Sequence, residues 1–218
     1  MNISRLGEFG LIQRIRRQIK TGPSVVQGIG DDCAVIRYSR DEYLLYTCDM
    51  IVEGIDFTRG TDPVLVGRKA IAVSISDIAA CGGIPSHCLV SLGLPKQTPV
   101  GVVDRLYKGI TGIAREFNVD VVGGDISKAD RLVLDVSMAG LVKHRHLALR
   151  SAARPGDILF ATGSFGGSIR GKHLTFVPRL AESQYLVRNF GVHAMIDVSD
   201  GLLQDLSHIL AESRVGVI

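Results

Sequence analysis

The sequence predicts a mixed α/β protein, and three observations carry that prediction. Apolar runs of strand length alternate with longer runs of helical period. Turn and stop signals punctuate these runs: the polar cluster "SRDE", the pair Gly82–Gly83 and Pro95. The chain has 218 residues, 46% of them hydrophobic, which is enough to bury a core in one large domain or two small ones.

In chain order, "GEFGLIQRIRRQI" places Leu11, Ile12, Ile15 and Ile19 at helical spacing with arginines on the other face. "CAVIRY" (33–38) and "YLLYTCDM" (43–50) read as strands around the polar turn "SRDE". "VLVGRKAIAVSISDIAACGG" is a long helix closed by Gly82 and Gly83, and His87 is expected to lie buried beside its end. "LVSLGLP" is a strand stopped by Pro95. Residues 99–117 form a helix with Val103, Leu106, Ile110, Ile113 and Phe117 on one face, and "VDVVGGD" and "RLVLDVSMAGLV" follow as strands. The basic stretch "KHRHLALRSAARPGD" interrupts the alternation and marks a domain boundary, with residues 1–145 before it and 146–218 after it. Beyond it come a strand "DILFATG", the loop "GSFGGS", a helical run ending near Phe190, a strand "HAMIDVSDG" and a helix "LLQDLSHILAES". "RVGVI" reads as the opening of one more strand, so the second domain is expected to be truncated.

The 25 basic and 22 acidic residues nearly cancel, and neither a basic stripe nor aromatic–basic interleaving points to nucleic acid. Four cysteines without a CxxC pair or zinc spacing read as reduced thiols. No run approaches the ~18 apolar residues of a bilayer span, so the expectation is a soluble, cytoplasmic protein. No GxxxxGK[ST], GxSxG or HExxH occurs, and "GSFGGS" is a loose imitation of the dinucleotide fingerprint.

The chemistry gathers on aspartates. Asp31 and Asp32 in "GIGDD", Asp49 in "YTCDM", Asp77 in "SISDIAA", Asp125 in "VVGGD", and Asp197 and Asp200 in "MIDVSDG" stand beside or inside apolar runs. Taken singly, each is ordinary turn or cap chemistry. Taken together, they place carboxylates where burial is costly, with few lysines or arginines beside them in sequence. Metal ions are the alternative counter-charge, and aspartate oxygens suit Mg²⁺ and Ca²⁺.

"GEFGLI", "GIGDDCAV", "KAIAVSISDIAACGGIP", "VVGGD", "LRSAARPGD" and "IDVSDGLLQDL" occur in the order found in thiamine-monophosphate kinases. The chain resembles that family, within the superfamily of aminoimidazole ribonucleotide synthetases, selenophosphate synthetases and the hydrogenase-maturation dehydratase. The resemblance implies two α/β domains, the first dimerising through a β-barrel, and a Mg²⁺- and ATP-dependent transfer of phosphate to thiamine monophosphate, giving thiamine diphosphate. It implies metal ligands at Asp32, Thr47, Cys48, Asp49, Asp77, Asp125, Asp197 and Asp200, with position 48 acting through side chain or backbone. It implies ATP contacts at Tyr107, Gly124, Asp125, Arg150 and Ser199, and leaves Asp31 to shape the turn. In the family, a histidine in "EG.HF" meets the substrate; here Asp56 stands in that place. Cys48 stands where a threonine is usual, and a "GGEDYEL"-type motif is missing. Another ATP-using enzyme of the superfamily with a different acceptor, or a nucleotide-binding paralogue without turnover, are the alternatives these departures keep open.

Overall fold

The computed structural model describes residues 3–218. Six strands form one sheet: β1 (Val25–Gln27), β2 (Ala34–Arg37), β3 (Glu42–Val52), β4 (Ile84–Leu94), β5 (Asp120–Lys128) and β6 (Val133–Lys143), in the order β1-β2-β3-β6-β4-β5. All neighbours are antiparallel except β4 and β5. A parallel pair needs a crossover, and α3 (Val100–Glu116) supplies it. Five of the six strands coincide with runs the sequence marks as strands; the three-residue β1 is not among them, and β4 is longer than expected, its first five residues reading as loop because Pro85 and Ser86 break the apolar run. His87 lies in that stretch and is exposed, not buried beside a helix end.

Alternation along β6 shows which face is covered. Leu134, Val136, Met138 and Val142 point inward and are buried, while the residues between them are half-exposed. Against this face lie α2 (Pro63–Ala80) and α3, whose Ile71, Ile75, Ile78, Leu106 and Ile110 are fully buried. Helix α2 starts where Asp62 accepts a hydrogen bond from Val64 N and Pro63 occupies the first turn, where its missing N–H costs nothing.

The two helices meet through glycines. A Cβ on Gly67 would lie 2.1 Å from Leu106 O, and one on Gly109 would lie 2.0 Å from Val64 O. Either Gly67→Ala or Gly109→Ala should therefore destabilise the fold by ~1–3 kcal/mol, the usual range for overpacking. Gly112→Ala, which meets nothing within 4 Å on the same helix, should be neutral or slightly stabilising. Thermal unfolding of the three variants side by side checks this.

Helix α1 (Ile3–Arg16) carries a break at Gly7, where φ is 70°. Its apolar stripe is only partly used: Ile15 and Ile19 remain 42% and 50% exposed. It leans on α6 (Leu202–Ser213) through Phe9 against the His208 ring and an Arg16–Glu212 ion pair at 2.8 Å. An amphipathic period says which face can be buried; what covers it is decided elsewhere in the chain.

After β6 the chain runs through single turns at 144–146, 150–152 and 168–170. The helices α4 (Lys172–Thr175) and α5 (Leu180–Asn189) pack on α2, and α6 packs on the 150–152 turn. The strands expected at 157–163, 193–201 and 214–218 do not form. Their apolar residues lie open instead, Ile158 at 93% and Phe160 at 71% exposure. A strand exists only as half of a pair, and no described segment pairs with them, so β-propensity alone leaves them outside any ladder.

Candidate functional site

Two polar residues interrupt the inward face of β3. Leu45 and Ile51 are buried there, and between them, at the same two-residue period, stand Thr47 and Asp49. On α2, Ser74, Asp77 and Cys81 follow at spacings of three and four and share a face. The two rows interlock. Thr47 Oγ1 donates to Asp77 Oδ2 at 2.5 Å, and Ser74 Oγ donates to Asp49 Oδ2 at 2.7 Å.

The loop 28–33 brings two more carboxylates to this seam. Gly30, at φ 121°, makes the turn; a side chain there would be strained and would strike Arg16, 2.7 Å from a Cβ. Asp31 accepts hydrogen bonds from the backbone N–H of Asp32 at 3.1 Å and of Arg150 at 2.9 Å, so it does shape the turn. Asp32, with a side chain only 1% exposed, is held bidentately by the Arg150 guanidinium. Asp197 arrives from the segment before α6. Carboxylate oxygens of Asp32, Asp77 and Asp197 all lie within 4.8 Å of one another, as do ligand atoms of Asp31, Asp32 and Cys81.

At such a separation two ionised carboxylates repel by roughly 3.5 kcal/mol at an effective dielectric near 20. The proton affinities show that cost. Burial, with Asp49 and Asp197 adding to it, pushes Asp77 up to about 10. Burial and Asp32 push Asp197 up to about 7. Asp32 reaches about 6 because burial outweighs its pairing with Arg150. Asp31 and Asp49 are raised by burial too, the first relieved by backbone N–H donors and the second by Ser74. Five carboxylates thus face one guanidinium. The donor set is oxygen-rich, crowded and short of positive charge, so it fits a hard divalent cation such as Mg²⁺.

Other sequence-predicted residues lie apart. Cys48 sits between Thr47 and Asp49 and so points to the opposite face of β3, where its thiol meets Asp135 at 3.3 Å and Ser137 at 3.5 Å; only its backbone stays on the cluster's strand segment. Asp125 is exposed on the edge strand β5, beside Ser127. Gly124 is explained by close approach, since a Cβ there would fall 1.8 Å from Val90 O. Tyr107 packs on the core from α3. Ser199 and Asp200 are exposed, the Asp200 carboxylate accepting from Gln204 at 3.1 Å. Asp56 accepts from Val52 N at 2.8 Å, with Lys69 Nζ on its main-chain oxygen at 2.7 Å.

Sequence reasoning missed Ser74 and Cys81, although their spacing of three and four to Asp77 was a usable signal. It also missed Asp205, buried at the start of α6, where its carboxylate accepts from Asp200 N and Gly201 N. Cys33 and Cys81 are in mutual contact behind the loop, both buried.

Comparison with known proteins accords with this geometry. Residues 30–142 match the model of the AIR synthase related protein, N-terminal domain. The thiamine-monophosphate kinase of Rhodopirellula baltica is 39% identical over 219 residues, covering 96% of this chain and 68% of that protein. The thiamine-monophosphate kinase of Bacillus subtilis is 33% identical, covering 97% of this chain and 72% of its own length. Among solved structures, one described as AaThiL complexed with AMPPCP and TMP superposes with a TM-score of 0.87 at 32% identity, over 98% of this chain and 72% of that one. The crystal structure of thiamine monophosphate kinase from Aquifex aeolicus gives 0.83 at 30% identity, over 98% and 74%. With a carboxylate seam of this kind between β3 and α2, and relatives of one activity matching nearly end to end along it, the chain belongs to the thiamine-monophosphate kinase family.

Proposed function

We propose that the chain transfers the γ-phosphoryl group of ATP to the phosphate of thiamine monophosphate, forming thiamine diphosphate and ADP. The observation that carries this reading is the cluster of Asp32, Asp77 and Asp197, with Asp49 next to Asp77 and, among the described residues, Arg150 alone paired with the cluster. Phosphoryl transfer asks a protein for positioning and charge neutralisation rather than for a nucleophile of its own, and no activated nucleophile stands at the seam.

Asp32, Asp49, Asp77 and Asp197 would hold Mg²⁺, with Thr47 and the backbone of Cys48 beside them. Bound there, Mg²⁺ neutralises phosphate oxygens and orients them for in-line attack. The chain's own residues prepare that position. Thr47 and Ser74 each fix one carboxylate oxygen of a partner by hydrogen bonding. Arg150 keeps Asp32 from turning away and brings a cation to the nucleotide side. Asp125 and Asp200 would complete the metal set from the edge of the sheet and the start of α6, and Tyr107, Gly124 and Ser199 the nucleotide contacts. Asp56 takes the substrate position. Its carboxylate is engaged by Val52 N, and Lys69, which also lies 3.3 Å from His173 Nδ1, supplies the positive charge that a phosphate acceptor requires there.

The same reading takes residues 1–145 as the ATP- and metal-binding domain and 146–218 as the start of a second domain, in a cytoplasmic homodimer. Support for the dimer comes from the outer face of the sheet, where Tyr46 and Met50 on β3, Leu89 on β4 and Val122 on β5 are exposed.

Incubating the protein with ATP, Mg²⁺ and thiamine monophosphate should yield thiamine diphosphate and ADP in equal amounts, and EDTA should abolish both. ADP released only with another acceptor would move the assignment elsewhere in the superfamily, as the aspartate at position 56 would favour. Nucleotide binding by calorimetry without any transfer would make the chain a binding protein.

A further inference from the structure

A second cavity lies away from the carboxylate seam, between the start of β4, the end of β6 and α5, with a volume of about 880 Å³. None of the clustered aspartates lines it. Its rim is cationic: Lys143, Arg145 and Arg188 converge there, joined by His146 and opposed by Glu42 alone. Among the described residues none of these three cations forms an ion pair. Its floor is apolar, made by Ile84, Leu141 and Val187.

Two of the cations, Arg145 and Arg188, are also positioned. Arg188 donates to Gln184 Oε1 at 3.1 Å, and Gln184 Nε2 in turn donates to Gly82 O and Gly83 O at 2.9 Å each. That chain satisfies two carbonyls of the turn just past α2 that would otherwise present partial negative charge to the cavity. Arg145 Nε donates to His146 Nε2 at 3.2 Å, which leaves His146 neutral with its Nδ1–H available as a donor. Partial burial and then the charges of Arg145, Lys143 and Arg188 hold that histidine's proton affinity down.

We infer that this cleft is a separate anion site, which takes a phosphate or diphosphate group carried on a small apolar body. Arginine forks and a neutral imidazole donor suit phosphate oxygens. A cavity of this volume is in the range of small-ligand sites, and its aliphatic floor matches a ring or short chain rather than a bare ion. The basic stretch 143–150 thereby serves two sites, Arg150 at the carboxylate seam and Lys143, Arg145 and His146 here.

The two sites separate experimentally because they respond oppositely to chelation. Without a divalent cation the carboxylate seam repels phosphates, whereas the basic cleft still attracts them. Calorimetry of the full chain in EDTA at low ionic strength should show inorganic pyrophosphate binding. Asp77→Asn should leave that binding unchanged, and the Arg145→Gln/Arg188→Gln double variant should weaken it by about tenfold or more at an unchanged melting temperature. Phenyl phosphate should bind several-fold tighter than inorganic phosphate. Absence of pyrophosphate binding in EDTA, or binding that Asp77→Asn alters and the double variant does not, would overturn the proposal. Equal affinity for phenyl and inorganic phosphate would overturn the apolar half of it.

Discussion

Replacing Asp77 with asparagine should cost on the order of a thousandfold in phosphoryl transfer, the scale on which charge stabilisation acts in such reactions, while making the cation-free protein more stable. The carboxylate lies where Asp49 and Asp197 both crowd it, and burial with those two charges pushes it up to about 10. Asparagine keeps the shape and can still accept the Thr47 hydroxyl, so the β3–α2 seam stays closed. It takes up no proton, whereas Asp77, pushed up to about 10, must be protonated at pH 8 in the cation-free folded state although it is ionised in the unfolded chain, and that folding penalty is removed. Removing that penalty is worth roughly 1–3 kcal/mol or more, and for a chain of this size each kcal/mol moves the melting temperature by about 2–4 °C. Calorimetric melting in EDTA at pH 8, set beside kcat/KM with Mg²⁺, measures both. A variant that lost activity and stability together would show that Asp77 only braces the fold. Asp77→Ala cannot make that distinction, because it leaves the Thr47 hydroxyl without its partner and opens a void.

The core of this site was legible because carboxylates set into apolar runs are expensive. Asp32, Asp49, Asp77 and Asp197 each break a run that would otherwise read as strand or helix interior, and the structure gathers all four. What the sequence withheld was the countercharge. Few cations flank these residues, yet Arg150 reaches Asp32 across 118 positions, and local reading has no access to a pair closed by the fold. The parity of β3 was available and went unused: neighbours on a strand face opposite ways, so Cys48 cannot present its thiol where Thr47 and Asp49 present their oxygens. Asp125 and Asp200 have the same glycine- and serine-flanked context as the clustered aspartates, but their burial depends on what packs above β5 and before α6. The apolar segments at 157–163 and 193–201 look like strands for the same local reason that β2 and β3 do. Without a neighbour to exchange hydrogen bonds with, they stay unpaired.

In EDTA the protein should lose stability as the pH rises from 5 to 8, against the usual trend for proteins rich in paired carboxylates. An aspartate in the unfolded chain titrates near 3.8, whereas Asp32, Asp197 and Asp77 are pushed up to about 6, about 7 and about 10. Between the unfolded and folded values the native state binds more protons than the unfolded state, so stability falls with each step in pH. Asp32 contributes to that fall until about 6 and Asp197 until about 7, and Asp77 alone carries it further. Each group adds at most about 1.4 kcal/mol per pH unit within its window. Groups held below their ordinary range, such as Glu182 beside Arg179, act only below pH 5 and in the opposite sense. Saturating Mg²⁺ should flatten the slope, because the cation replaces protons as the counter-charge, and its binding should release protons detectable as a buffer-dependent heat. A melting temperature that stayed level in EDTA across this range would mean that the carboxylates are already neutralised by something other than protons, and the reading of the seam as a cation site would fall with it.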